Sequence, residues 1–224
     1  MRPIREYKTI AFDCDGVILN SNSIKADAFY ELALPYGNEA ADALKAHHIS
    51  CGGVSRNLKF SYLFSNILRR APEPGEIDEL LKRYGDLVSS ELMAVEITPG
   101  LETFRAETQP ANWVVISGGN QAELRSLFSY RNLNHLFDTN NIFGSPRSKN
   151  EIVLDEKKKG LLTLPLLFLG DSHYDYEVAK QHNFDFVFVR DWSEWSKPRL
   201  PDNVTIVDHV VDLTKNVAEV RDGN

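Results

Sequence analysis

Two carboxylates stand one residue apart at the end of an apolar run, in Asp13-Cys14-Asp15-Gly16-Val17. Alternate residues of an extended chain project to the same side, so Asp13 and Asp15 share a face while Cys14 turns toward the interior. Ile116-Ser117-Gly118-Gly119-Asn120 sets a hydroxyl and glycine amides at a strand-to-helix junction, a natural anion cradle. Gly170-Asp171-Ser172, followed by Asp175, puts more carboxylates after the most apolar run, and Lys149 stands near the start of a helical stretch. Taken singly, these residues also read as helix caps, a turn, first-turn acids and an ordinary exposed lysine.

Together they describe a site. Acids gathered at strand ends repel one another unless a cation lies among them. An oxygen-only ligand set with room for water suits Mg²⁺. An anion cradle and a lysine beside it make a pocket for a phosphoryl group, whose transfer is mostly positioning and charge neutralisation. A carboxylate can itself attack phosphorus and form an aspartyl phosphate.

The elements that must position these residues follow from periodicity. Continuously apolar runs at Thr9-Ile10-Ala11-Phe12, Trp113-Val114-Val115-Ile116, Leu166-Leu167-Phe168-Leu169 and Phe186-Val187-Phe188-Val189 fit strands covered on both faces. Weaker candidates lie at 141–143 and 204–207, and helical patterns run over 121–130 and 174–181. This alternation predicts an α/β fold: a doubly wound, Rossmann-like, mostly parallel sheet. The interval between the first two strong runs is too long for one crossover connection. Helical spacing at 24–34, 58–68 and 77–93 predicts an inserted all-helical domain over residues 20–95, with the α/β core at 1–19 and 96–224. Pro99 is placed to open the next helix.

The chain has 224 residues, 42% hydrophobic and 25% charged, in the range of soluble globular proteins. Lys and Arg number 25 against 32 Asp and Glu, a formal net charge of −7, which disfavours nucleic acid or an anionic membrane as partner. The basic run Lys157-Lys158-Lys159 reads as a solvated helix end. Two cysteines, Cys14 and Cys51, suggest neither a disulfide framework nor a zinc site, and no membrane span or signal peptide is expected. The expectation is a cytoplasmic protein, monomer or homodimer, with a small phosphorylated molecule as partner.

Asp13-x-Asp15-Gly16-Val17, Ser117, Lys149 and Gly170-Asp171-Ser172-x-x-Asp175 resemble the four ordered motifs of the haloacid dehalogenase superfamily, over almost the whole chain. The insert is similar to the helical cap of its phosphoglycolate phosphatase-like and β-phosphoglucomutase-like branch. The resemblance implies Asp13 as nucleophile and Asp15 as general acid, then base. It implies Ser117, the Gly118 amide and Lys149 as phosphate ligands. Asp13, the backbone carbonyl of Asp15 and Asp171 would bind Mg²⁺, with Asp175 near the metal or steadying Lys149. Gly52-Gly53-Val54-Ser55-Arg56 resembles the cap loop of sugar-phosphate members, which would bring Arg56 to substrate.

An acid at position 15 favours phosphate esters over halides, since halide leaves unprotonated. The expected function is a Mg²⁺-dependent phosphomonoesterase acting on a sugar phosphate or phosphorylated acid. The rivals are a phosphomutase on the same scaffold and a non-catalytic binding protein that retains the fold.

Overall fold

The computed structural model describes residues 1–196 and 198–215, so the last part of the expected core, 216–224, lies outside the described residues. Six strands form one parallel sheet: β1 (Thr9–Phe12), β2 (Asn112–Asn120), β3 (Ile142–Ser145), β4 (Leu166–Gly170), β5 (Asp185–Val189) and β6 (Thr205–Val207). Their order is β3-β2-β1-β4-β5-β6, with Ile10 between Trp113 and Leu167. The order reverses at β1, whose carboxyl end therefore opens the crevice in which such sheets bind ligands.

Strands β1 to β5 are largely apolar because both faces are covered, whereas the edge strand β6 leaves Ile206 exposed. Ile10, Phe12, Trp113, Val115, Leu167, Leu169, Val187 and Val189 pack into one core. Ala11, Val114, Ile116, Leu166, Phe168, Phe186 and Phe188 pack into the other. The period of two is thus present in the packing although it is invisible as polarity. The covering helices are α5 (Leu101–Thr108), α6 (Gln121–Tyr130), α7 (Lys149–Lys158) and α8 (His173–Gln181). Helix α5 begins two residues beyond Pro99, because Gly100 takes a left-handed conformation and acts as its cap.

Between β1 and β2 lie α1 (Asn22–Ala33), α2 (Asn38–Ser50), α3 (Arg56–Tyr62, continued as a wider turn to Ile67) and α4 (Glu76–Leu92). They enclose a core of their own around Phe29, Leu32, Leu44, Phe60, Phe64, Leu80 and Tyr84. The chain leaves and returns in two adjacent passes: Thr98 donates its amide to Ile18, Asn20 to Glu96, and Leu19 bridges Ile97 in antiparallel fashion. Helix α2 does not stand out by periodicity, because its buried face is built from Ala40, Ala41, Leu44 and His48 and contrasts weakly with its surface. No helix among the described residues is long and apolar enough to cross a membrane.

Candidate active site

Capping chemistry sets three of the side chains. Ser148 caps α7 in a reciprocal box with Glu151, which makes Lys149 the first residue of that helix. Ser172 and Asp175 form the same box on α8, folding the Asp175 carboxylate back toward the sheet rim. Asn120 caps α6 by accepting from the Ala122 and Glu123 amides, at the end of β2, which carries Ser117 and Gly118.

These termini converge on the end of β1. Lys149 Nζ lies 2.9 Å from Asp13 Oδ2 and 2.5 Å from Asp175 Oδ1, and all three side chains are buried. Asp13 Oδ1 accepts from its neighbour's amide, Cys14 N, at 2.7 Å. Asp175 Oδ2 accepts from the Ser172 amide at 3.1 Å and from its hydroxyl at 2.6 Å. Asp171 Oδ2 accepts from Asn22 Nδ2 at 2.8 Å. It also sits against Gly16, where a Cβ would lie 2.1 Å from that oxygen, so only glycine allows the approach.

Carboxylate oxygens of Asp13, Asp171 and Asp175 all lie within 4.8 Å of one another. One ammonium, Lys149, serves these three buried acids. Burial pushes the Asp13 carboxyl above its usual range despite the pull of Lys149, and burial and the neighbouring Asp13 and Asp175 charges push Asp171 well up. Burial works against the Lys149 ammonium too, but Asp13 and Asp175 outweigh it and hold it charged. These effects agree: negative charge is in surplus even after Lys149 is counted. An all-oxygen donor set with surplus negative charge fits a hard divalent cation such as Mg²⁺.

Asp15 stands apart from this cluster. Its Oδ1 accepts from the Ser21 hydroxyl and the Lys25 ammonium, each at 2.5 Å. Burial alone would raise the Asp15 carboxyl, but Lys25 and Ser21 hold it below the ordinary range. Lys25, Ser21 and Asn22 are absent from the residues that motif and spacing single out. The signal that could have found them is their i,i+4 and i,i+3 spacing across the first turn of α1, directly after the acidic strand end.

Ser117 is buried, with its Oγ accepting from the Gly119 amide at 3.0 Å. The insert reaches this point: a Cβ on Gly118 would lie 2.3 Å from the Gly53 carbonyl oxygen, and one on Gly53 would lie 3.0 Å from Lys149 Nζ. Arg56 lines the same cavity as Asp13 and Asp15. Its guanidinium makes two hydrogen bonds to Glu123 of α6, at 3.0 and 2.6 Å, and lies over the Tyr84 ring. Any ligand of Arg56 therefore competes with a carboxylate that already fills its fork. Lys157, Lys158 and Lys159 are away from the site, at the exposed end of α7.

Insert and sheet rim enclose a cavity of about 1270 Å³ whose lining includes Asp13, Asp15, Gly118, Asp171 and, from the insert, Lys25, His48 and Lys59. The arrangement provides a buried carboxylate held by a lysine, the Gly118 backbone lining the same cavity, and a second carboxylate at the rim. It can support nucleophilic attack on phosphorus with proton transfer to and from the departing oxygen.

A family model described as haloacid dehalogenase-like hydrolase matches residues 10–189. Among curated proteins, no sequence matches the chain. Solved structures share its fold. A predicted phosphoglycolate phosphatase from Haemophilus somnus is 18% identical, with 94% of this chain and 98% of that one covered and a TM-score of 0.70. The β-phosphoglucomutase from Clostridium difficile is 17% identical, with 96% of each chain covered and a TM-score of 0.70. A hydrolase from Pseudomonas syringae is 19% identical over 96% of this chain and 99% of that one, also with a TM-score of 0.70. At these identities the likeness carries the fold alone.

Proposed function

The chain belongs to the haloacid dehalogenase-like hydrolase family, and from that premise we propose that it is a Mg²⁺-dependent phosphatase of a small phosphorylated metabolite, a sugar phosphate or phospho-acid. The observation that carries this reading is the buried Asp13, held 2.9 Å from Lys149 at the floor of a cavity closed by the helical insert. Residues 20–95 act as a cap on the core, and the two passes at 18–20 and 96–98 are its hinge.

Asp13 attacks phosphorus, forming an aspartyl phosphate as the bond to the leaving oxygen breaks. Asp15 supplies the proton that this oxygen takes up. Asp15 then removes a proton from water as the water attacks phosphorus, and Asp13 is regenerated with release of inorganic phosphate. Ser117, the Gly118 amide and Lys149 hold the phosphoryl oxygens, while Asp175 fixes Lys149 in place. Asp13, Asp171 and the Asp15 backbone carbonyl would hold Mg²⁺, which supplies positive charge against the phosphoryl oxygens. Lys25 and Ser21 keep Asp15 ionised, the state required of the base in the second half. The acid half requires this ion pair to loosen and Asp15 to hold a proton, which it takes from solvent at the start and thereafter keeps from the water of the preceding turnover; this links leaving-group protonation to movement of α1.

The test is release of phosphate from an aryl phosphate, with and without Mg²⁺, by wild type and Asp13→Asn. The expected loss in the variant is at least roughly a thousandfold, and equal activity of the two proteins refutes the assignment. Incubation with a hexose 1-phosphate separates the two chemistries: free phosphate marks a phosphatase, an isomeric sugar phosphate a mutase.

A further inference from the structure

Four lysines line or adjoin the cavity; Lys82 is 80% exposed and faces Asp86, and of the other three, two have acidic partners. Lys149 is held by Asp13 and Asp175, and Lys25 by Asp15. The third, Lys59 of α3, is 2% exposed and makes no ion pair among the described residues. Its Nζ lies 2.7 Å from Nδ1 of His48 on α2, and 5.5 Å from the centroid of the Phe29 ring. His48 packs on the same ring at 4.6 Å. Both Lys59 and His48 line the cavity that Asp13 and Asp15 face.

Burial, with help from Lys59 and Lys25, pulls the His48 imidazole down to about 2, so it is neutral and its Nδ1 accepts a hydrogen from Lys59. An ammonium has three N–H donors, and His48 takes one. Burial also pulls Lys59 down to about 7. Cys51, Asp15 and Glu194 pull the other way and Lys25 pushes with burial, and burial prevails. A long cationic side chain sealed in an apolar insert with one neutral partner is costly unless an anion meets it.

We propose that Lys59 and His48 form a second anion subsite, set in the insert, that selects phosphate esters bearing a carboxylate at the end remote from phosphorus. The inference rests on the phosphatase reading above and narrows its substrate class. One uncompensated ammonium matches a single negative charge, which favours a carboxylate over a second phosphate dianion. His48 aligns the lysine, and the Phe29 ring excludes water from the contact.

The test is equilibrium binding, by calorimetry in Mg²⁺, of phosphonoacetate and its longer homologues, each paired with its neutral carboxamide. Phosphonates are not hydrolysed, so the measurement reads the subsite whether or not esters are turned over. At one chain length the wild type should bind the acid at least about tenfold more tightly than the amide. Lys59→Met should reduce this preference to within about threefold, and Lys59→Arg should retain part of it. Equal affinities for acid and amide at every length overturn the subsite, as does a preference that survives in Lys59→Met or the binding of no member at all. If aryl phosphate is hydrolysed while acid and amide bind alike, the subsite falls and the phosphatase reading stands. If the acid preference is found without hydrolysis, the reverse holds.

Discussion

Asp171→Asn should invert the protein's stability between metal-free and magnesium conditions. Asp13, Asp171 and Asp175 share a space within 4.8 Å with one ammonium, and the Asp171 carboxyl is pushed well above its usual range. An acid whose pKa is higher folded than unfolded binds an extra proton in the native state. Metal-free wild type therefore loses stability as pH rises from the ordinary aspartate range through the raised value. Asparagine carries no charge, still accepts from Asn22, and removes this cost at neutral pH. Relief of one buried, uncompensated polar group is worth on the order of 1–3 kcal/mol. For a chain of this length that raises Tm by about 2–10 °C. Magnesium acts in the opposite direction: a ligand at about a thousand times its Kd stabilises the folded state by roughly 4.1 kcal/mol, more than the variant gains. Only the wild type should receive that in full. Scanning calorimetry in chelator and in excess MgCl₂ reads both effects. The variant should melt higher in chelator and the wild type higher in magnesium. A variant that is less stable in chelator, or that gains as much from magnesium as the wild type, refutes the electrostatic account of the site.

Lys149→Met leaves Asp13 and Asp175 without their shared ammonium and should cost about 3–5 kcal/mol in denaturant unfolding; a change below about 1 kcal/mol would contradict the buried pairing. Gly118→Ala places a Cβ where the Gly53 carbonyl now sits 2.3 Å away. The insert loop must withdraw, so kcat/KM for a phosphate ester should fall on the order of a hundredfold with little change in melting temperature. The His48 imidazole is held neutral down to about 2, whereas the unfolded side chain takes up a proton below about 6.5. Its stabilising effect is complete above that value and fades as pH falls. Between pH 7.5 and 5.5 the wild type should thus lose roughly 1.4 kcal/mol more than His48→Gln, and parallel pH profiles would show that His48 titrates freely.

Much of the site was readable because its residues lie where local rules act. Asp13 and Asp15 follow directly on β1, which ends at Phe12, and Lys149 and Asp175 sit in first helical turns marked by Ser148 and Ser172. The same rules exposed the parallel sheet, since strands buried on both faces leave unbroken apolar runs. They were weaker where contrast was low, as in α2 with its alanine-lined buried face. They were silent where partners come from distant segments: nothing near Lys149 in the chain says that its ammonium meets Asp13, and nothing near Arg56 says that its fork is taken by Glu123.

The amino-acid sequence by itself determined the alternation of strands and helices, the helical interval after β1, and the acids, serine and lysine set at the strand ends. Each of these is a matter of local periodicity, capping or turn chemistry. The tertiary structure alone decided which charges neutralise which. It gave Lys149 to Asp13 and Asp175, gave Lys25 to Asp15, and left Lys59 with a neutral histidine. Electrostatic energy depends on distance and burial, and folding sets both without regard to separation along the chain.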